Sequence, residues 1–204
     1  MSYQRKKVFF GKHVFIVSGE VYEPAEDTFL IARNLSVSRG EKVLDMGTGC
    51  GILAVLAAEK ASEVVAVDVN PNAVDCAKKN AELNGVAAKV ETRLGNLFDA
   101  VEAGEKFDLI LFNSPYLPVE RDDEGKNWIE KAWAGGKMGR TVIDPFISKA
   151  SRYLKENGRI LLVQSSLSNV KETLGRFSQC KLYAAIVGEE KLAFEKIVLI
   201  EARQ

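Results

Sequence analysis

The sequence predicts an α/β fold: a Rossmann-like, seven-stranded, doubly wound sheet, mostly parallel with an antiparallel closing strand, preceded by a short N-terminal β-hairpin and helix. Three observations predict it. Short apolar runs without polar alternation, such as Leu109-Ile110-Leu111-Phe112, suit strands buried on both faces of a parallel sheet. These runs alternate with stretches of helical period, the order of repeated strand–helix units. The last two strand-like runs, Lys181 to Val187 and Lys196 to Glu201, are joined by a short polar link and should pair antiparallel.

At 204 residues the chain is long enough for one domain with a sizeable core and short for two, so residues 1–204 are expected to form a single unit with 1–20 as a hairpin extension. Lys+Arg and Asp+Glu both number 28, which argues against bulk attraction to nucleic acid, although Arg5, Lys6, Lys7 and Lys12 leave a local basic patch open. Cys50, Cys76 and Cys180 are far apart and odd in number, so neither a disulfide framework nor a zinc site follows. Reduced thiols, apolar runs too short to span a bilayer and the lack of a signal peptide point to the cytoplasm.

Residues 7–17 read as two strand-like runs around Gly11-Lys12-His13, a hairpin. His13, the only histidine, is expected to be solvated and has no assigned role. Pro24 and the acids Glu26 and Asp27 read as a helix start, the acids matching the dipole at a solvated end. On physics alone Thr28 is a helix-start residue as well.

Lys42 to Asp45 is a strand that runs into Gly47, Gly49 and Gly51 and then into an apolar helix. Glycines there permit a tight turn and close approach of a ligand. The next strand ends at Asp68, 21 residues beyond Gly47, where an acid can hold a ribose hydroxyl pair. Dinucleotide binders and S-adenosylmethionine binders share these features. The glycine spacing is G-x-G-x-G rather than G-x-G-x-x-G, and Asp45 would repel a pyrophosphate but suit an ammonium group. The phosphate-free S-adenosyl-L-methionine is the better fit.

Asn70-Pro71 opens the following helix with a cap and a proline at the first position, and Asn84-Gly85 closes it. A strand over 88–94 leads to Asn96, which reads equally as a turn asparagine or as a partner for the adenine amino edge. The strand over 107–112 breaks into Asn113-Ser114-Pro115-Tyr116. Pro115 keeps Ser114 extended, and ligands in open α/β sheets sit outside the carboxyl ends of strands. A plain proline turn is the alternative reading. Residues 119–134 read as a polar loop with glycine hinges, a possible substrate clamp. Asp144-Pro145 can start a helix through Leu154 that Asn157-Gly158 ends; Gly158 to Gln164 is the fifth strand of the sheet, and Asn169 to Phe177 a further helix.

Val21 to Leu30, the glycine loop with Asp45, Asp68-Val69-Asn70-Pro71, Asn113 to Tyr116, Ala132 to Gly136 with Gly139-Arg140, and Gly188 to Leu192 together resemble a class I S-adenosylmethionine-dependent methyltransferase. More narrowly, the chain resembles the short HemK-like branch that methylates the glutamine of the Gly-Gly-Gln motif in archaeal and eukaryotic peptide release factors. The resemblance implies cofactor roles for Thr28, Asp45, Asp68, Asn96 and Asn113, and a release factor as protein substrate. It also implies a small zinc-binding activator subunit as a possible partner. The helical N-terminal domain of bacterial HemK-type enzymes is not expected, with about 20 residues ahead of the signature. The family pattern is Asn-Pro-Pro-Tyr, and this chain has serine at 114. That substitution keeps the carbonyl of residue 114 as an acceptor.

The expected site therefore consists of Asn113, Ser114, Pro115 and Tyr116 for chemistry, with no metal. The Asn113 oxygen and the Ser114 carbonyl would accept bonds from a planar NH₂, and Tyr116 would stack on it. An exocyclic base amine in RNA or DNA presents the same group, so a nucleic-acid N-methyltransferase is the first rival. A non-catalytic nucleotide-binding module is the second, and it has no use for Asn113 and Tyr116 beside the loop.

Overall fold

The computed structural model describes residues 5–120 and 127–204. Strands β1 (Lys6–Phe10) and β2 (His13–Val17) form an antiparallel hairpin, followed by α1 (Glu26–Asn34). Then come β3 (Lys42–Met46), α2 (Ile52–Ala58), β4 (Glu63–Asp68), α3 (Pro71–Leu83), β5 (Val90–Leu94) and β6 (Phe107–Asn113). The chain closes with α4 (Trp128–Trp133), α5 (Ile143–Ala150), β7 (Leu154–Ser165), α6 (Val170–Gln179), β8 (Tyr183–Lys191) and β9 (Lys196–Arg203).

The seven-stranded sheet has the order β5-β4-β3-β6-β7-β9-β8. Strands β3 to β7 pair parallel, and β9 runs antiparallel to both of its neighbours, β7 and β8. The winding reverses between β3 and β6, which opens a crevice at their carboxyl ends. Helices on both faces make β3, β4 and β6 the centre of the core, with Val43, Leu44, Val64, Val65, Leu109 and Ile110 wholly buried. This explains why those strands lack polar alternation.

Gly51 takes φ +83, and a Cβ there would lie 2.8 Å from Ala77 Cα. The glycine thus lets the start of α2 press against α3. Asn70 caps α3 by accepting from Asn72 N, with Pro71 behind it, and its Nδ2 donates to Glu20 O.

The hairpin is moored to α3 by two side-chain amides. Asn80 Oδ1 accepts from Ile16 N at 2.9 Å while its Nδ2 donates to Ile16 O at 3.0 Å. Asn84 makes the same pair with Val14, at 3.3 and 2.9 Å. Asn80 Nδ2 also reaches Cys50 O in the glycine loop at 2.8 Å.

Several sequence expectations need correction. His13 is buried rather than solvated: it lies on the inward face of β2 with Phe15 and Val17, and Nε2 stands 3.3 Å from Glu59. Asp27 does not decorate a solvated helix end; it is buried, and Pro24 sits just ahead of Ala25, the N-cap. Residues 128–133, expected in a loop, form the helix α4, whose cap is Asn127 accepting from Glu130 N. Part of that expected loop, 121–126, lies outside the described residues. Helix α5 stops at Ala150 because Leu154 already pairs with Phe107 in the sheet, and Asn157, at φ +62, lies within β7 where its register with β6 shifts between Leu154 and Arg159.

Candidate functional site

A cleft of about 330 Å³ opens at the carboxyl ends of β3, β4 and β6. Gly47, Gly49, Cys50, Asp68, Asn96, Asn113, Pro115 and Thr28 line it. The glycine turn is built by φ values of +66 and +56 at Gly47 and Gly49, a region that disfavours side chains.

Asp68, at the end of β4, faces the cleft with each carboxylate oxygen anchored once. Oδ2 accepts from Gly49 N and Oδ1 from Asn70 N, both at 2.9 Å. Burial nonetheless raises its pKa. Each oxygen keeps a further lone pair for a hydroxyl donor.

Asp45 behaves differently. It is 1% exposed and does not line the cleft. Its Oδ2 accepts from Thr48 Oγ1 at 2.6 Å and from Ala54 N at 3.1 Å, which ties the glycine turn to the first turn of α2. Burial pushes its carboxyl up to about 7.

At the end of β6, Asn113 Nδ2 donates to Thr28 Oγ1 at 3.0 Å. Its Oδ1 is buried and has no hydrogen-bond partner among the described residues. A buried acceptor without a partner costs about 1–3 kcal/mol, so this atom is poised for a donor brought from outside.

Ser114 is 2% exposed, and its hydroxyl donates to Val163 O on β7 at 2.9 Å. The serine therefore has a packing role where the family has a proline ring. Tyr116 is also buried and does not line the cleft. Its hydroxyl donates to Asp27 Oδ2 at 3.1 Å, as does that of Tyr22. Burial and the Asp27 carboxylate both raise the two tyrosine pKa values. In this conformation the Tyr116 side chain is tied to Asp27 and does not line the cleft.

The segment after Tyr116 is clamped by the Trp133–Gly136 stretch. Leu117 N donates to Trp133 O at 2.9 Å and Gly135 N to Leu117 O at 2.8 Å. Gly139 passes so close that a Cβ would lie 2.2 Å from Tyr116 O. Buried Arg140 bonds Ser168 O, Asn169 O, Thr173 and Asp144, which fixes that clamp to the start of α6.

Sequence reasoning missed several lining residues. Tyr22 and Val69 lie inside matching motifs but were given no role there, and Leu97 was given none; Leu97 adopts φ +49, a strained value for a branched side chain. Trp128 and Lys131 come from α4, with the Lys131 ammonium 4.6 Å from the centre of the Trp128 ring.

A reversal between β3 and β6, an inserted antiparallel strand and a glycine turn facing a strand-end asparagine define the class I methyltransferase architecture. Comparison with known proteins makes this specific. The methyltransferase small domain family matches residues 23–188, and the chain belongs to that family. A relative from Methanocaldococcus jannaschii, whose assigned name is that of a protein N5-glutamine methyltransferase, is 40% identical over 184 residues, 90% of this chain and 91% of its own. The release factor glutamine methyltransferase of Aquifex aeolicus is 31% identical over 200 residues, 92% of this chain and 69% of its own. Among solved structures, the E. cuniculi Mtq2–Trm112 complex, responsible for methylation of the eRF1 translation termination factor, has a TM-score of 0.71 at 23% identity. The alignment covers 91% of this chain and 99% of that one, and shows the shared fold.

Proposed function

We propose that this methyltransferase transfers the methyl group of S-adenosyl-L-methionine to the side-chain amide nitrogen of the glutamine in the Gly-Gly-Gln motif of a peptide release factor. The observation that carries the reading is the buried, unpartnered Oδ1 of Asn113, held at the cleft by the bond from its Nδ2 to Thr28. The names borne by the M. jannaschii and A. aeolicus relatives support the amide as acceptor.

The residues present fit the donor. Gly47 and Gly49 leave the turn at residues 47 and 49 without side chains, Asp68 offers two anchored acceptors to a ribose, and Val69 and Leu97 line the same cleft as Asn96 and offer apolar surface to an adenine. Asp45 acts here by bracing the turn through Thr48 and Ala54. When bound, S-adenosylmethionine supplies an electrophilic methyl group on a sulfonium.

An amide nitrogen is a poor nucleophile because its lone pair is delocalised into the carbonyl. With donor bound, Asn113 Oδ1 and the Ser114 carbonyl would accept the two N–H bonds and favour the positive charge that develops on nitrogen as the methyl's bond to sulfur breaks and a neutral thioether leaves. The nitrogen then loses a proton to solvent. Holding acceptor and donor in line can supply about 7–11 kcal/mol of the barrier.

Among the described residues no helix is long and apolar enough to cross a membrane, and a cytoplasmic setting accords with a translation factor as substrate. The reading extends to a small zinc-binding activator subunit, for which the edge strand β5, with Leu94 exposed, is a candidate seat.

The test uses labelled donor with purified cognate release factor, the same factor carrying Gly-Gly-Glu, tRNA and DNA. Label is expected on the Gly-Gly-Gln factor alone. Equal labelling of both factors, or labelling of nucleic acid alone, would overturn the proposal. Asn113→Ala should leave donor binding measurable and cut turnover by about 10²–10³.

A further inference from the structure

Asp27 takes no part in the chemistry just described, yet it is buried beside the cleft with four donor bonds converging on it. Oδ2 receives the hydroxyls of Tyr22 and Tyr116, each at 3.1 Å. Oδ1 receives Thr28 N at 2.6 Å and Thr28 Oγ1 at 3.2 Å. The convergence of donors from α1, from the segment ahead of it and from the segment after β6 is what an acceptor-only carboxylate commands.

A threonine hydroxyl has one proton. In this arrangement Asp27 takes it, so Thr28 Oγ1 can meet Asn113 only as an acceptor. It does so, from Nδ2 at 3.0 Å. An asparagine amide has a donor end and an acceptor end, so fixing Nδ2 against Thr28 turns Oδ1 away from it. That Oδ1 is buried and meets no partner among the described residues.

We propose that Asp27 is a positioning residue that works through the Thr28 hydroxyl, dictating which end of the Asn113 amide is offered and thereby selecting substrates that bring N–H donors. The inference rests on the amide-methylation reading of the same site. Without the carboxylate, Thr28 is free to donate to Asn113 Oδ1, and the amide can turn to present its own NH₂. Two NH₂ groups would then face one another, and the substrate would lose its acceptor.

The test compares the full-length protein with Asp27→Asn, Thr28→Val, Thr28→Ser and the Asp27→Asn/Thr28→Val pair, using release factor at saturating donor. Asp27→Asn and Thr28→Val should each lower kcat by about 10–100-fold, the usual scale for an indirect orienting partner, while Asp27→Asn leaves donor affinity within about threefold. Thr28→Ser keeps the hydroxyl and should recover most of the kcat that Thr28→Val loses. Because the effect runs through Thr28, the double variant should be no slower than Thr28→Val alone. Wild-type kcat in Asp27→Asn, or losses that multiply in the double variant, would overturn the proposal.

A second readout needs no turnover. In side-chain amide NMR spectra of the wild-type protein, the Asn113 NH₂ protons should show cross-peaks to the Thr28 methyl group; an amide turned the other way would sink the inference even if every variant folded poorly. If the wild-type protein labels no glutamine, the proposed substrate fails, while the orientation of Asn113 in this spectrum still decides the relay.

Discussion

Gly139→Ala is the perturbation that tests whether the clamp after Tyr116 governs the acceptor site. Gly139 has φ +68, where a Cβ costs about 1–2 kcal/mol from backbone sterics alone. That Cβ would stand 2.2 Å from the Tyr116 carbonyl oxygen and 2.8 Å from Ser168 Cβ. Neither neighbour is the end of a flexible side chain, so the backbone must give way, at an overpacking cost of about 1–3 kcal/mol. The sum, about 2–5 kcal/mol, does not exceed the 5–15 kcal/mol typical of native domains, so the variant should fold with reduced stability. Tyr116 lies two residues from Ser114, and a displacement of about 1 Å at a reacting group can cost about 10² in rate. Chemical denaturation should therefore show a lower midpoint at unchanged slope, and turnover should fall by about that factor with donor affinity retained. An unchanged midpoint would refute the packing argument. A lowered midpoint with wild-type turnover would refute the link from clamp to acceptor.

Asp68→Ala should abolish donor binding detectable by calorimetry while the thermal unfolding transition persists; near wild-type affinity would remove Asp68 from the donor site. Ser114→Pro should retain activity, with about 1 kcal/mol of stability lost with the hydroxyl bond to Val163. A large loss of turnover would show that the serine has a role in the reaction. Asp45 gives a pH prediction. Its folded value near 7 lies above the ordinary 3.8, so the native state keeps a proton that the unfolded chain releases, and this group's contribution to stability falls as pH rises from about 4 to 7. Each tenfold difference in proton affinity between the folded and unfolded chain is worth about 1.4 kcal/mol, so relative to Asp45→Asn the wild-type protein should lose a few kcal/mol over that window. A difference between the two that does not vary with pH would contradict the assignment.

The strands were legible because burial on both faces writes itself as unbroken Val, Leu and Ile, and the glycine turn because positive φ demands glycine. Asn70-Pro71 was readable for a local reason as well: cap and first turn lie within three residues. What escaped depends on distance along the chain. Asp27 and Tyr116 are 89 residues apart, and nothing near Asp27 tells a buried hub from a dipole-matching acid. His13 looked like a turn residue, yet it shares the inward face of β2 with Phe15 and Val17. Helix α4 has six residues and depends on a single asparagine cap and on the backbone it clamps. Ser114 read as a lost proline ring because its partner, the Val163 carbonyl, sits on another strand.

The two amides that hold β2 imply a ruler between unlike secondary structures. Asn80 and Asn84 are one step of four along α3, a rise of about 6 Å. Val14 and Ile16 are one step of two along a strand, a rise of about 6.6 Å. The two pitches nearly coincide, so a helix face presents paired donor and acceptor at the spacing of a neighbouring strand. An isolated two-stranded ribbon is marginal in water, and here α3 serves as its third strand. A slip of β2 by one residue would put Phe15 where Ile16 now meets Asn80 and turn His13, Phe15 and Val17 outward. The same asparagine that reads the hairpin's alignment also bonds the Cys50 carbonyl, so a misaligned N-terminus would be felt at the glycine turn.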